Sequence, residues 1–378
     1  MKKICIFTYA YMHPHQTMVN FHIENLFSGS AVVCAGKETT FQPVKRTVFD
    51  RSSVSRTLWD KVLEPVTGLS NKLKGLPQKS LIGSERAQIV DFLRRESVDA
   101  VLCEFGCIGA EVVSSIGDIG IPMFTYYRGY DGTMRIRSSR QQRLTARAFE
   151  KTAGLFFVSK FLQDNLASYG LVHPNSHVIP SGVNTDKFQP LEKKKRKFVA
   201  IGRLVDKKRP DITVRSFCEE AKSYPDATLS LLGGGPWQER CQEIIRDMGM
   251  EDRVEILGEQ SHENVLKHLQ EAEFFLQHSV TSPEGDAEGA PTSIQEALAC
   301  GCVVLSTRHA GIPELVSEGE TGFLVDELDE TGFRALIRDA LSGKIDAEKI
   351  GCASREFAVR NLDNRLLIKR LESVLSEA

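Results

Sequence analysis

The chain has 378 residues, more than one ordinary hydrophobic core accommodates and about right for two domains. Lys and Arg number 48 against 50 Asp and Glu, so the formal net charge of -2 excludes a generally basic nucleic-acid binder. No apolar run approaches a bilayer-spanning length, and the run after Met1-Lys2-Lys3 is too short for a secretory leader, so the chain reads as cytoplasmic.

Short apolar, β-branched runs recur along the chain. Strands are predicted at 4–8, 31–34, 100–103, 123–126, 155–158 and 177–179. A second series follows at 198–201, 228–232, 254–257, 274–277, 303–306 and 322–325. Most of these runs are apolar throughout, as strands buried on both faces are. Helical patterns lie between them, for example at 84–96, 138–151, 160–168 and 236–248. This alternation predicts an α/β protein with parallel sheets. Residues 51–79 carry turn formers without clear periodicity and read as an irregular excursion. The turn formers at 180–186 and the charged run 192–197 suit a solvated domain linker. The last segment, 362–378, has apolar residues at helical spacing and reads as a helix packed back on a domain. The nine cysteines are scattered and lack the paired spacing of a zinc site, so they read as small buried hydrophobes in a reducing compartment.

Ligands of open α/β sheets bind beyond the carboxyl ends of the strands, so the chemistry is sought in the loops that follow them. Residues Glu288, Gly289, Ala290, Pro291, Thr292 and Ser293 lie between a strand and a helix. The glycine and proline give a tight turn, Thr292 or Ser293 can cap the helix, and its first amides with the helix dipole make a seat for a pyrophosphate. Glu296, on the helix, has two readings: a ligand contact, or the acidic member of a capping box with Ser293. Gly202, Arg203 and Lys208 follow the first strand of the second series, and their two cations suit the oxygens of a departing diphosphate. Gly233, Gly234 and Gly235 let backbone approach a ligand, but the third glycine of a dinucleotide fingerprint and its acidic partner are absent, which excludes a nicotinamide enzyme. In the first half, the loop after the first strand carries His13, His15 and Thr17. The basic stretch Arg135, Arg137, Arg140, Arg143, Arg147 and Lys151 has two readings: a contact with anionic lipid headgroups or a lipid-diphosphate acceptor, or a solvated helix face.

Together these residues resemble the retaining glycosyltransferases of family 4. The match rests on Glu288 and Glu296 in E-x7-E, on G-R-L-x-x-K-K from Gly202 to Lys208, on Gly233-Gly234-Gly235-Pro236, on the linker 179–188 and on 301–314. The resemblance is specific in the second half and looser in the first. It implies a GT-B fold, two Rossmann-like parallel-sheet domains facing a central cleft. Residues 1–182 would be the acceptor-binding domain, with the helix 362–378 packing back on it, and 183–361 the nucleotide-sugar-binding domain.

The implied activity is transfer of a hexosyl unit from a UDP- or GDP-sugar to a glycan or lipid-linked acceptor in bacterial cell-surface polysaccharide synthesis, with no metal or other cofactor and with peripheral contact at the inner face of the membrane. Arg203, Lys208 and Glu288 would serve catalysis. Glu296, Gly202, Gly234 and residues 289–293 would bind the donor. Thr17, His15, Glu104, Arg128 and Asp131 are the candidates for acceptor or sugar contact. Arg128 and Glu104 stand where many members have histidine, and they could instead pair with one another. An epimerase acting on the nucleotide-sugar and a non-catalytic nucleotide-sugar-binding subunit are the alternatives; acceptor-dependent product separates the first from a transferase, and nucleotide release separates the second.

Overall fold

A computed structural model of the chain describes residues 2–14, 16–36, 46–55, 57–73, 81 and 83–377. Its contacts divide into two compact units: Met1–Pro180 with Leu367–Ala378, and Ser181–Leu366.

The first unit is built on seven parallel strands: β1 (Ile4–Thr8), β2 (Val32–Ala35), β3 (Val48–Asp50), β4 (Ala100–Cys103), β5 (Met123–Tyr127), β6 (Gly154–Phe157) and β7 (Ser176–Val178), in the order 3-2-1-4-5-6-7. Its helices are α1 (Thr17–Asn25), α2 (Leu58–Leu73), α3 (Gly83–Arg95), α4 (Gly106–Gly117), α5 (Ser139–Lys151) and α6 (Lys160–Ser168). The second unit has six parallel strands: β8 (Lys194–Ile201), β9 (Thr228–Leu232), β10 (Val254–Ile256), β11 (Ala272–Leu276), β12 (Val303–Thr307) and β13 (Gly322–Val325), in the order 10-9-8-11-12-13. Helices α7 (Pro210–Glu220), α8 (Gln238–Asp247), α9 (His262–Glu271), α10 (Thr292–Ala299), α11 (Glu330–Ser342) and α12 (Ala347–Asn361) accompany them, and α13 (Asn364–Ser376) ends the chain.

The central strands are buried on every residue because helices cover both faces, which is why they read as unbroken apolar runs. In the second core Phe198 and Phe274, neighbours on β8 and β11, stack at 4.8 Å. Each sheet reverses its winding once, between β1 and β4 and between β8 and β11. The connections after those strands run to opposite faces of the sheet, and ligands of open α/β sheets bind at that point.

Three sequence expectations change. Residues 194–197 are not a solvated linker but the first half of β8, where Lys197 faces Thr228 in register. Three of their four cations are partnered: Lys194 and Lys197 reach Glu271 at 2.8 and 2.6 Å, and Arg196 reaches Asp226 at 2.7 Å. Within 51–79, α2 replaces the expected irregular segment, and β3 was not foreseen at all. Pro65 and Gly68 inside α2 hid the helix, yet its start carries a capping box: the Asp60 amide donates to the Thr57 hydroxyl at 3.2 Å, and the Thr57 amide donates back to the Asp60 carboxylate at 2.7 Å. Residues 74–79 of that segment lie outside the described residues.

The terminal helix α13 lies against the first unit. Lys2 Nζ donates to the Leu375 carbonyl at 3.3 Å, Arg370 donates to the Val178 carbonyl at 3.2 Å, and the Phe27 amide donates to the Glu372 carboxylate. Among the described residues no helix is long and apolar enough to cross a membrane.

Candidate active site

The turns after β8 and β9 approach backbone to backbone. Gly202 and Gly233 have φ of 146° and 141°, and a Cβ on Gly233 would lie 2.0 Å from the Gly202 carbonyl oxygen. No residue but glycine fits there without displacing the main chain. The Leu204 amide donates to the Gly234 carbonyl at 2.9 Å, so Gly234 anchors the loop from β8 through its backbone. The loop then winds into a 3-10 turn, Asp206–Lys208, and the Val280 amide beyond β11 donates to the Lys207 carbonyl at 2.9 Å. Two loops from either side of the winding reversal are thus stitched together.

Their side chains meet as well. Lys208 Nζ lies 3.1 Å from Glu288 Oε1, and Lys207 Nζ lies 3.1 Å from Asp286. The Lys208–Glu288 contact is an ion pair that falls short of a directed hydrogen bond. Burial alone would raise the Glu288 pKa, but the charges of Lys208 and Lys207 outweigh it and hold the carboxyl down at about 2. Burial likewise pulls the Lys208 ammonium below its usual value, with Glu288 opposing. Arg203 is exposed, makes no ion pair among the described residues, and lines a pocket with Gly202, Lys208, Thr213 and Gln277. Arg203, Lys208, Gly202 and Glu288 are therefore brought to one place.

The site has a support that was not foreseen from the sequence. The Glu288 amide donates to His309 Nε2 at 3.0 Å. An accepting Nε2 leaves the proton on Nδ1, which donates to Glu327 Oε1 at 2.6 Å. The other oxygen of Glu327 accepts from the Thr281 amide at 2.8 Å. His309 is wholly buried, so this chain ties the ends of β12 and β13 to the loop that carries Glu288. The available signal was a histidine in a loop directly after a predicted strand.

Residues 289–293 form the turn into α10. Pro291 is the residue before the helix, and no side chain caps it. Neither Thr292 nor Ser293 acts as the cap: Thr292 is exposed, and the Ser293 hydroxyl donates to Gln277 at 3.3 Å. The capping-box reading of Glu296 falls with it. Gln295 braces the turn instead, donating to the Ala290 carbonyl at 3.1 Å and accepting from the Gly182 amide at 2.7 Å. Gly289 is buried in the same turn. Glu296 makes no side-chain hydrogen bond or ion pair among the described residues, and burial pushes its carboxyl up to about 8. At neutral pH it is largely protonated and can donate a hydrogen bond.

The candidates of the first unit fare differently. Glu104, wholly buried, accepts from Arg128 Nε at 3.2 Å and bonds His22 Nδ1 at 2.7 Å, and the Arg128 NH2 group closes a second bond to it. Burial would raise its pKa, but Arg128 and His22 outweigh that and hold it at about 2. The Arg128 guanidinium also stacks 4.1 Å from the centre of the Tyr126 ring. The two residues that stand in place of histidines thus form a buried ion pair with each other. Asp131 accepts from the amides of Gly106, Arg128 and Gly129 at 2.7, 3.1 and 3.0 Å, which fixes the loop after β5. Thr17 is the half-buried first residue of α1. His15 lies outside the described residues. Among the described residues no group of three or more His, Cys, Asp or Glu is placed to hold a metal, and all nine cysteines are free.

Two doubly wound parallel sheets, the second with a cationic and carboxylate cluster at its winding reversal, give the chain a GT-B fold. Residues 183–357, somewhat under half of the chain, match the family model of the glycosyl transferases group 1. The chain is similar to the amylovoran biosynthesis glycosyltransferase AmsK of Erwinia amylovora, 25% identical over 292 residues that cover 74% of this chain and 70% of that one. It is 31% identical over 234 residues, 58% of this chain and 61% of the relative, to the GDP-mannose-dependent alpha-(1-6)-phosphatidylinositol monomannoside mannosyltransferase of Mycolicibacterium smegmatis. Among solved structures, HepE of Anabaena in complex with UDP shares the fold over 100% of both chains, with a TM-score of 0.78 at 15% identity.

Proposed function

We propose that the chain is a retaining hexosyltransferase that moves a sugar from a UDP- or GDP-sugar to a hydroxyl of a glycan or lipid-linked saccharide in cell-surface polysaccharide synthesis. The observation that carries the reading is the Lys208–Glu288 pair beside Arg203, which has no ion pair among the described residues, on glycine-bent loops at the reversal of the second sheet. Relatives named for amylovoran biosynthesis and for GDP-mannose-dependent transfer, and a structural neighbour solved with UDP, support the substrate class.

In this reading Arg203 and Lys208 take the diphosphate, and the backbone amides of Ala290, Thr292 and Ser293, at the start of α10, add to its seat. Glu288 touches the sugar near its reacting carbon. Glu296, in its protonated form, donates to a ribose hydroxyl. The bond from the anomeric carbon to the diphosphate oxygen breaks with its electron pair staying on the diphosphate. The acceptor oxygen bonds the same face of that carbon, and its proton passes to the departing diphosphate. The protein contributes orientation and charge stabilisation, with the two cations in the role a metal has elsewhere.

Peripheral membrane contact belongs to the same proposal. The cations Arg135, Arg137, Arg140, Arg143, Arg147 and Lys151 are all exposed, and α2 turns Leu58, Trp59, Val62, Val66 and Leu69 to solvent. Sedimentation with anionic vesicles tests it.

The test of the main reading is nucleotide release across UDP- and GDP-sugars with acceptor glycans, on the wild type and Glu288→Gln. Acceptor-dependent release by the wild type and none by the variant is the expected result. Wild-type rates in the variant would remove Glu288 from the reaction.

A further inference from the structure

Glu104 is taken up by Arg128 and His22, and Asp131 by backbone amides, which turns the search for acceptor recognition in the first unit to other residues. A cavity of about 620 Å³ lies within that unit, at the carboxyl ends of β1 and β5 beside the start of α5. It is at the reversal of the first sheet, where a ligand of an open α/β sheet belongs.

Its wall has a specific chemistry. Tyr9 and Tyr130 line it and are 45% and 47% exposed, the ring of Tyr9 steadied against Phe105 at 5.1 Å. Arg135 and Arg140 line it too, both exposed and without an ion pair among the described residues. The Arg135 guanidinium is 5.9 Å from the Tyr130 ring centre. Glu111, the acidic residue of the wall, is already bound to Arg51. Two half-bare aromatic faces suit the C–H faces of a pyranose ring, and two guanidinium forks without a carboxylate partner among the described residues suit carboxylate or phosphate oxygens.

We propose that this cavity seats an acceptor saccharide bearing a negative charge, its ring against Tyr9 and Tyr130 and its anionic group on Arg135 and Arg140. The proposal rests on the transferase reading and deepens it by naming the acceptor class. The charge can come from a uronate on the sugar or from a diphosphate that links the sugar to a lipid.

The test is a ligand-observed NMR titration of the full chain with three probes: cellobiouronic acid, neutral cellobiose, and glucose linked to a ten-carbon prenyl diphosphate. At least one anionic probe binds about tenfold more tightly than cellobiose, and which one it is identifies the source of the charge. The Arg135→Gln, Arg140→Gln double variant abolishes that preference, and Tyr130→Ala weakens both kinds of saccharide. UDP and GDP affinities, measured in parallel, stay at wild-type values in these variants. Equal affinity for neutral and anionic probes, no binding of any probe, or an undiminished preference in the double variant overturns the proposal. A wild-type chain that binds neither nucleotide would strike the transferase reading instead, and so the two failures are told apart.

Discussion

Glu104 and Glu288 are both buried carboxylates in loops past a parallel strand, and cations hold both at about 2. Their surroundings differ in one respect. Glu104 has one oxygen on His22 and the other on Arg128, and the arginine is itself stacked on Tyr126. Among the described residues Glu288 has a single ion pair, to Lys208, its backbone pinned by His309, and exposed Arg203 in the same pocket wall as Lys208. A charge cluster with every site filled stabilises one conformation. A cluster with capacity left over, on a loop held rigid by its own backbone, can receive a ligand.

Substitutions should separate the two clusters. Glu288→Gln keeps the shape and removes the charge, so transfer should fall by about 10³-fold in kcat, while the fold is retained at a lowered melting temperature because Lys208 loses its counter-charge. The converse is Arg128→Ala, which strands Glu104 in the interior. It should cost about 3–5 kcal/mol of stability in denaturant unfolding, while the nucleotide affinity of the surviving folded protein stays at the wild-type value. Arg203→Ala should weaken UDP or GDP binding by about 2 kcal/mol in calorimetry, because a charge-assisted contact to phosphate is lost. His309→Phe removes the acceptor for the Glu288 amide. A loss of about tenfold in kcat with nearly unchanged nucleotide affinity would mark it as a positioning residue. If both kcat and affinity survive, the His309–Glu327 chain serves the fold alone.

Titration sharpens the contrast from another side. Glu104 and Glu288 are depressed, so their stability is present above the ordinary carboxyl range and is lost as pH falls toward about 2. Glu296 is raised to about 8, so the native state holds a proton that the unfolded chain releases above the ordinary carboxyl range. Stability should therefore decline as pH rises toward 8, with a slope of at most about 1.4 kcal/mol per pH unit. Glu296→Gln should flatten that slope in denaturation curves taken at pH 5 to 8, and an unaltered slope would assign it to another group.

The parallel strands were legible because burial on both faces removes polar residues from them, and four of the twelve predicted runs, 4–8, 100–103, 228–232 and 322–325, begin and end where the strands do. The start of β8 was not legible, because its lysines reach partners on neighbouring elements and look in sequence like a solvated run. Helix α2 was masked by Pro65, although Thr57 and Asp60 carried its start signal. In the second unit the loop residues that meet, Gly202, Lys208 and Glu288, were all singled out, since each lies after a strand. His309 and Glu327 escaped because they act through the backbone of another loop, which no spacing along the chain records.

The chain leaves its first unit after Pro180 and re-enters it at Leu367, where Leu371 and Leu375 are buried against it. A gene fragment ending near residue 180 therefore encodes a half-finished body that lacks its closing helix. Residues 181–366 run without interruption and are the portion suited to separate expression and to soaking with nucleotides. A premature stop that removes only the last dozen residues would damage the opposite end of the polypeptide from the one it shortens.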